Sequence, residues 1–312
     1  MNAGITKARV DSLNPRKPLY VEKDATVADV VAMMEQTKSG CILVRDKGAL
    51  IGTLSERTIL RNLIAMHMEF SHTPVTRLMS ADTHCLYADD SAEYALNEMT
   101  FGGFRNITVL SQVGDPSGIL TFEDILDHIL AKMHVRIDTE EKKPRSPEKK
   151  RAREKQGIDP EDFDRPIGVL DPPAALCVES GSLLKDAVRQ MADRNIGCVM
   201  VVRDKKLTGT VTERFLLYKI AHETPDFDTA KVDDYMRVAP QCLQMHDPVS
   251  AAIRILALHD VRHIPIVNEN GEPVAFTSVR GVIDYIVSFY PDEIINLPPH
   301  PMRFGLRDEA GA

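Results

Sequence analysis

The chain contains the same sequence pattern four times. An offset of 157 positions aligns the two halves of the chain, for example Glu56 with Glu213. Within each half, an offset of 66 positions aligns a further pair of segments, for example Ser55 with Thr121. Repeats of this length are supersecondary units that bury their apolar faces against one another. The chain is therefore predicted to fold as four copies of one unit, arranged in two tandem pairs.

Each unit has the same order of predicted elements. In the first, a short extended run precedes a helix that opens at Thr26 and carries apolar residues at helical spacing. Two apolar runs bounded by turn residues follow, and a second helix starts at Ser55. This β-α-β-β-α order predicts an α+β fold. The predicted boundaries are repeat 1 at 13–72, repeat 2 at 73–133, a charged linker at 134–169, repeat 3 at 170–229, repeat 4 at 230–290 and a C-terminal tail at 291–312.

The linker between the two halves differs in composition from the repeats. Residues 140–156 are dominated by charged side chains and lack the apolar content needed to form a core. We interpret them as a solvated linker. An alternative is that this basic arm docks on an acidic partner.

Composition narrows the function classes. The net charge of -8 and the pI near 5.7 argue against a broad nucleic-acid-binding surface. No apolar run approaches the roughly 18 residues that a membrane span needs, and the first 16 residues lack the apolar centre of a secretory signal. We therefore expect a cytoplasmic protein. No metal-ligand spacing, nucleophile elbow or phosphate loop of the P-loop type favours an enzyme or a metal site.

Four of the five cysteines occupy equivalent positions in the repeats. Cys41 aligns with Cys198, and Cys85 aligns with Cys242, all in apolar runs. Free cysteine is often buried. We therefore expect core positions rather than a disulfide framework.

The start of each second helix carries the most distinctive chemistry. A hydroxyl residue precedes the helix in all four repeats, and in repeat 2 it is followed three positions later by an acid, as Thr121 and Asp124. The plain interpretation is an N-terminal cap. A helix start also suits a phosphate, and a carboxylate in its first turn can accept hydrogen bonds from two ribose hydroxyls. Arg105 opens the strand expected to pair beside this position.

These motifs resemble those of cystathionine-β-synthase (CBS) domains. The resemblance is carried by residues 118–124, a Gly, two apolar residues, a Thr and an Asp three positions on, and by Arg262-His263-Ile264-Pro265-Ile266-Val267. It covers about 13–133 and 170–290. It implies four CBS units forming two Bateman modules, with clefts for AMP, ADP or ATP, or for S-adenosylmethionine or a dinucleotide. It implies no cofactor.

Carried over by position, the resemblance implies one complete site. Thr121 meets phosphate, Asp124 holds the ribose hydroxyls, and Arg105 and Asn106 face the phosphates. The predicted site comprises Leu19, Lys38, Ser39, Gly40, Arg105, Asn106, Ile119, Thr121, Glu123 and Asp124. Leu19 and Ile119 would line the base, and the backbone of residues 38–40 would meet its edge.

The other repeats lack the ribose acid. Thr58, Phe215 and Gly281 stand at its position, and Phe215 is expected to fill the ribose space. A weaker second site is predicted in repeat 4, comprising Arg262, His263, Ser278 and Arg280.

The resemblance therefore implies a regulatory sensor that binds an adenine nucleotide and signals to a partner chain, with homodimerisation expected. The alternative is a protein-interaction module without a ligand.

Overall fold

The structure is a computed structural model that describes residues 8–66, 69–139, 160–223, 225–259, 261–290, 294 and 297. The predicted docking arm at 140–156 lies outside the described residues. The described part of the chain shows the α+β fold that the repeats predict. Among these residues, no helix is both long enough and apolar enough to cross a bilayer.

Repeat 1 shows how one unit is built. Strands β1 (Tyr20–Glu22), β2 (Cys41–Asp46) and β3 (Ala49–Ser55) form a sheet in which β1 is parallel and β3 antiparallel to the central β2. Helix α1 (Val27–Thr37) connects β1 to β2, and α2 (Glu56–Met66) follows β3. Val27, Val30, Val31 and Met34 of α1 are almost fully buried, as the helical spacing predicts.

The remaining repeats follow the same plan. Repeat 2 contains β4 (Cys85–Tyr87), α3 (Ala92–Thr100), β5 (Asn106–Leu110), β6 (Pro116–Thr121) and α4 (Phe122–Thr139). Repeat 3 contains β7 (Cys177–Glu179), α5 (Leu184–Asp193), β8 (Cys198–Arg203), β9 (Lys206–Thr212) and α6 (Glu213–Glu223). In repeat 4, β10 (Arg237–Val238) precedes α7 (Val249–Leu258), β11 (His263–Val267), β12 (Pro273–Ser278) and α8 (Val279–Val287).

Ordered structure extends into the segments predicted as linker and tail. Helix α4 continues to Thr139, and two 3₁₀ turns, Pro160–Asp164 and Ile167–Leu170, precede repeat 3. These turns bury Phe163 and Ile167, apolar side chains that the charged arm lacks. In the tail, Ile294 is fully buried, and its carbonyl oxygen accepts a hydrogen bond from the Asn97 side chain.

Backbone contacts divide the chain into two compact units. One comprises residues 1–16, 85–158 and 286–312, and therefore holds most of repeat 2. The other comprises residues 17–84 and 159–285, and holds repeat 3 and most of repeats 1 and 4.

Short crossing segments add an edge to the sheet of a different repeat. The segment before β1 pairs with β6 of repeat 2, where Arg16 and Ile119 exchange backbone hydrogen bonds of 2.9 and 2.8 Å. The segment before β4 pairs with β3 of repeat 1 through Ser80 and Thr53. In the second half of the chain, β10 pairs with β9 of repeat 3, and Ala174 pairs with Ala275 of repeat 4. This exchange explains the small residue at the start of each motif.

Gly118 illustrates that constraint. A Cβ atom built on Gly118 would lie 2.7 Å from Cβ of Pro15 in the crossing segment. We expect Gly118→Ala to lower the free energy of unfolding by about 1–3 kcal/mol, because the crossing segment must shift. Gly168→Ala is the matched control, since its Cβ would meet no atom closer than 4.0 Å. Urea unfolding of both variants decides, and equal stability of the two would contradict this explanation.

Repeats 1 and 3 exchange side chains between their cores. Leu60 of α2 packs in the core of repeat 3, and the equivalent Leu217 of α6 packs in the core of repeat 1. Both are almost fully buried. Neither core is therefore complete without the other repeat.

The cysteines separate into core and surface positions. Cys41 and Cys198 are buried, as predicted, and burial raises the pKa of each thiol to about 12. The expectation is wrong for Cys242, which is exposed: its neighbour Leu243 pairs with Ile266 of β11 and is buried, and successive residues of an extended segment face opposite sides. Cys85 is only partly buried, and the fifth cysteine, Cys177, is exposed.

This separation predicts an order of alkylation. At pH 8 iodoacetamide should modify Cys177 and Cys242 first, because the reagent reaches them and the buried thiols do not ionise. Cys41 and Cys198 should react only after unfolding. Peptide mass spectrometry at successive times distinguishes the positions, and early labelling of Cys41 would show that the core of repeat 1 opens readily.

Candidate functional site

The four helix starts share one cap geometry. The side-chain hydroxyl of the residue before each helix accepts a hydrogen bond from a backbone N–H three residues later. The pairs are Ser55 with Thr58 at 3.2 Å, Thr121 with Asp124 at 3.3 Å, Thr212 with Phe215 at 3.4 Å, and Ser278 with Gly281 at 3.3 Å. The predicted capping role is thereby confirmed in all four repeats.

Repeat 2 carries the fullest set of interactions at this position. Asp124 Oδ2 accepts hydrogen bonds from the Thr121 backbone N–H at 2.9 Å and from the Thr121 hydroxyl at 2.7 Å, which completes a capping box. Its second oxygen, Oδ1, accepts from Nε of Arg16 at 2.9 Å. Both Thr121 and Asp124 are buried. The carboxylate is thus held in one orientation at the start of α4.

Two further predicted residues lie on the neighbouring strands. Asn106, the first residue of β5, is the register partner of Thr121 on β6, and Ile119 lies two residues before Thr121 on the same strand. Arg105 directly precedes β5 and is partly buried. Glu123 lies in the first turn of α4 beside Asp124. The structure therefore brings Asn106, Thr121 and Asp124 together in one unit.

A second carboxyl group lies one turn further along α4. Partial desolvation and the negative charge of Asp124 raise the pKa of Asp127 above its usual value, although the side chain reaches solvent. The charge of Arg16 lowers the same pKa. The positive charge of Arg16 therefore acts on both carboxyl groups, Asp124 and Asp127.

The remaining predicted residues belong to the other compact unit. Leu19 packs against the core of repeat 1. Lys38 directly follows α1, and its carbonyl oxygen accepts a hydrogen bond from Arg214 at 3.4 Å. The Ser39 hydroxyl donates to the carbonyl oxygen of Cys41, and the carbonyl oxygen of Gly40 accepts from the backbone of Glu56.

In repeats 1 and 3, the residue at the position equivalent to Asp124 makes a different contact. In repeat 1 the hydroxyls of Ser55 and Thr58 hydrogen-bond to each other at 2.8 Å. In repeat 3 the guanidinium of Arg237, from β10, lies over the Phe215 ring at 5.5 Å. Phe215 therefore contacts the crossing segment in repeat 3, as Asp124 does in repeat 2.

The two arginines predicted as part of a second site in repeat 4 form ion pairs with carboxylates of the protein. The Arg262 guanidinium donates to Oε2 of Glu56 at 2.7 Å, so the cation predicted to face a phosphate is paired with a carboxylate of repeat 1. Arg280 pairs with Asp284 at 3.5 Å. The His263 ring lies 5.9 Å from the Phe276 ring.

Glu56 is the centre of a buried charge cluster that joins repeats 1, 3 and 4. It accepts from Arg214 at 2.7 Å and from the Tyr218 hydroxyl at 3.2 Å, in addition to Arg262. Its exposed fraction is 4%. Desolvation and the negative charge of Glu56 raise the pKa of Tyr218, so this hydroxyl stays protonated as a donor.

The cluster is reciprocal. Glu213, the equivalent of Glu56, accepts from Arg57 at 2.7 Å, while Arg57 is the equivalent of Arg214. Sequence analysis missed this function of the four residues. The signal was the doubled Glu-Arg pair at 56–57 and 213–214, and no pattern within one repeat shows that each glutamate binds the arginine of the other copy.

Comparison with known proteins places the chain in a family. The family model described as CBS domain matches residues 10–65, 75–131, 163–221 and 232–288. This chain belongs to the CBS domain family. The prediction from the two motifs is confirmed.

Curated relatives include the CBS domain-containing protein CBSCBSPB5 of Arabidopsis thaliana. It is 23% identical over 286 residues, which cover 84% of this chain and 50% of that protein. An uncharacterised 33.4 kDa protein from Thermofilum pendens is 26% identical over 204 residues, which cover 65% of this chain and 61% of that protein. The CBS chain described here thus spans about half the length of the Arabidopsis relatives it matches.

Solved structures share the fold of most of this chain. A protein of Methanocaldococcus jannaschii, described as a candidate archaeal homologue of g-AMPK, aligns with a TM-score of 0.71 and 16% identity over 89% of this chain and 99% of that chain. An uncharacterised protein from Pyrococcus horikoshii aligns with a TM-score of 0.54 and 19% identity over 90% of this chain and all of that chain. The four-repeat α+β architecture is therefore shared.

Proposed function

We propose that this CBS-domain protein is a regulatory sensor that binds an adenine nucleotide, AMP, ADP or ATP, at the start of α4 in repeat 2. The proposal rests on the identity and position of Asp124. It is the one acid at this position among the four repeats, and a capping box with Thr121 holds its buried carboxylate in place.

Each neighbouring group has a role in this proposal. The start of α4 supplies backbone N–H donors and a partial positive charge for phosphate, and the Thr121 hydroxyl can turn its hydrogen toward the same group. Asp124 accepts from the ribose hydroxyls. Asn106 begins β5, the strand paired with β6, and Arg105 directly precedes it; in this proposal both contact the phosphates. The roles of Leu19 and of residues 38–40 stay a prediction.

Repeat 4 is proposed only as a weaker site. A phosphate there would compete with Glu56 for Arg262, and Gly281 offers no acceptor for ribose. We therefore expect repeat 2 to be the site with the higher affinity for nucleotide.

The proposed output is regulation of a partner protein rather than catalysis. CBS-domain proteins are typically regulatory. A homodimer and a cytoplasmic location belong to the same proposal.

A calorimetric titration of the full chain tests the proposal. AMP, ADP and ATP should each release or absorb heat with one dominant site, and a ligand at 100 times its dissociation constant should stabilise the fold by about 2.7 kcal/mol. S-adenosylmethionine and a cyclic dinucleotide belong in the same screen. If none of the adenine nucleotides and neither of these two ligands binds, the result would favour the alternative, an interaction module without a ligand.

A further inference from the structure

The Asp124 carboxylate has few acceptor positions left for a ligand. A carboxylate offers about four lone-pair sites on two oxygens. Oδ2 already accepts from the backbone N–H and the hydroxyl of Thr121, and Oδ1 accepts from Nε of Arg16. One acceptor position therefore remains on Oδ1.

A ribose needs more than that single position. Its two neighbouring hydroxyls both donate to the carboxylate in the proposed complex. The Thr121 hydroxyl can release Oδ2 by turning its hydrogen toward the phosphate. Oδ1 is still shared with the guanidinium of Arg16, whose Nε lies 2.9 Å from that oxygen.

The Arg16 side chain can move while its backbone stays in place. Two backbone hydrogen bonds to Ile119 fix the crossing segment against β6. The Arg16 side chain, however, is 43% exposed, whereas that of Asp124 is 8% exposed. The partly exposed guanidinium can therefore move from the carboxylate to solvent when the ribose hydroxyls replace it as donors to the buried Asp124.

Repeat 3 repeats this arrangement with different chemistry. There the crossing segment places the Arg237 guanidinium over Phe215, the residue equivalent to Asp124. In both repeats, an arginine of the crossing segment contacts the last residue of the motif, Asp124 or Phe215. The contact of Arg16 with Asp124 therefore follows from the position of the crossing segment beside β6.

We propose that Arg16 is an internal competitor of the ligand: its guanidinium occupies Oδ1 of Asp124 in the unliganded protein, and the ribose hydroxyls compete with it for that oxygen. This inference rests on the proposed function, and it adds a residue that sets the affinity of the same site. Removing the guanidinium should tighten the binding of a ribonucleoside.

Adenosine is the probe that isolates this effect, because it carries no charge of its own. Arg16→Gln in the full chain should bind adenosine about two- to fivefold more tightly than wild type, the range expected for a partly exposed ion pair. Salt should tighten adenosine binding to the wild type by screening the pair, and should have little effect on Arg16→Gln. Arg9→Gln is the matched control, since Arg9 lies in the same segment but pairs with Asp11.

Calorimetry at low and high salt gives the decisive comparison. Equal or weaker adenosine binding by Arg16→Gln, with wild type binding normally, would overturn the competition while leaving the nucleotide site intact. Tightening by Arg9→Gln to the same extent would also overturn it, because the effect would then come from net charge. Absence of adenosine and AMP binding in the wild type would overturn both the competition and the proposed function.

Discussion

Glu56→Ala is expected to lower the free energy of unfolding by about 3–5 kcal/mol. The substitution leaves the Arg214 and Arg262 guanidinium groups without the carboxylate that each contacts at 2.7 Å. These side chains are only 14% and 24% exposed, so water compensates them poorly. Removing one partner of a buried ion pair costs more than the pair contributes, because the remaining charge stays desolvated.

Glu22→Ala is the matched control for this prediction. Glu22 lies in the same repeat, is 56% exposed and contacts Arg45 at 3.3 Å, so its removal should change stability by less than about 1 kcal/mol. Guanidinium chloride unfolding compares the two variants. If the free energy of unfolding of Glu56→Ala lies within about 1 kcal/mol of that of the control, the cluster does not stabilise the packing of repeats 1, 3 and 4.

A second variant separates the ion pair from simple packing loss. Adding Arg214→Ala to Glu56→Ala removes one of the two arginines that contact Glu56. The double variant should therefore lose less stability than the sum of the two single variants. Strict additivity would mean that the two side chains act independently.

Asp124→Ala is expected to weaken adenosine and AMP binding by at least about 100-fold. Two hydrogen bonds from ribose hydroxyls to a carboxylate contribute about 1.5–3 kcal/mol each, and every 1.4 kcal/mol is a factor of ten in affinity. The fold should remain, with a loss of about 1 kcal/mol from the cap. Calorimetry measures the affinity, and thermal unfolding checks the fold.

Asp127→Ala provides the control for Asp124. It removes a carboxylate from the same helix, one turn away, where no ribose contact is proposed. Its affinity for adenosine should stay within about threefold of wild type, since an exposed charge has a small effect at this distance. Equal losses in both variants would indicate a general effect of negative charge rather than a ribose contact at Asp124.

The sequence predicted the architecture well because repetition makes each local pattern appear four times. The helical spacing of Val27, Val30, Val31 and Met34, and the hydroxyl before each second helix, depend only on neighbours in the chain. The buried helix face and the four helix caps therefore follow from local geometry. The two motifs that indicated the CBS family are also short segments of consecutive residues.

Contacts between repeats could not be read from any single repeat. Leu60 packs in the core of repeat 3 rather than its own, and Glu56 binds Arg214 rather than a neighbour in the chain. Tandem order suggests that consecutive repeats share most contacts, whereas repeats 1 and 3 lie in one compact unit. Tertiary packing decides which copies meet, and periodicity carries no information about it.

Arg16 and Arg262 show the same limit at the candidate sites. The motif marks Asp124 as a ribose partner, but it does not show that a residue 108 positions earlier occupies the carboxylate. It marks Arg262 as a phosphate partner, but Glu56 holds that side chain. In both cases an ion pair within the protein takes the position that the resemblance assigns to a ligand.

A crystal structure of the full chain grown with AMP tests whether Asp124 is the ribose partner. We expect AMP at the start of α4, with both ribose hydroxyls within hydrogen-bond distance of Asp124, a phosphate oxygen near Thr121, and the Arg16 side chain displaced from the carboxylate. AMP bound in repeat 4 alone, or bound in repeat 2 without contact to Asp124, would contradict it.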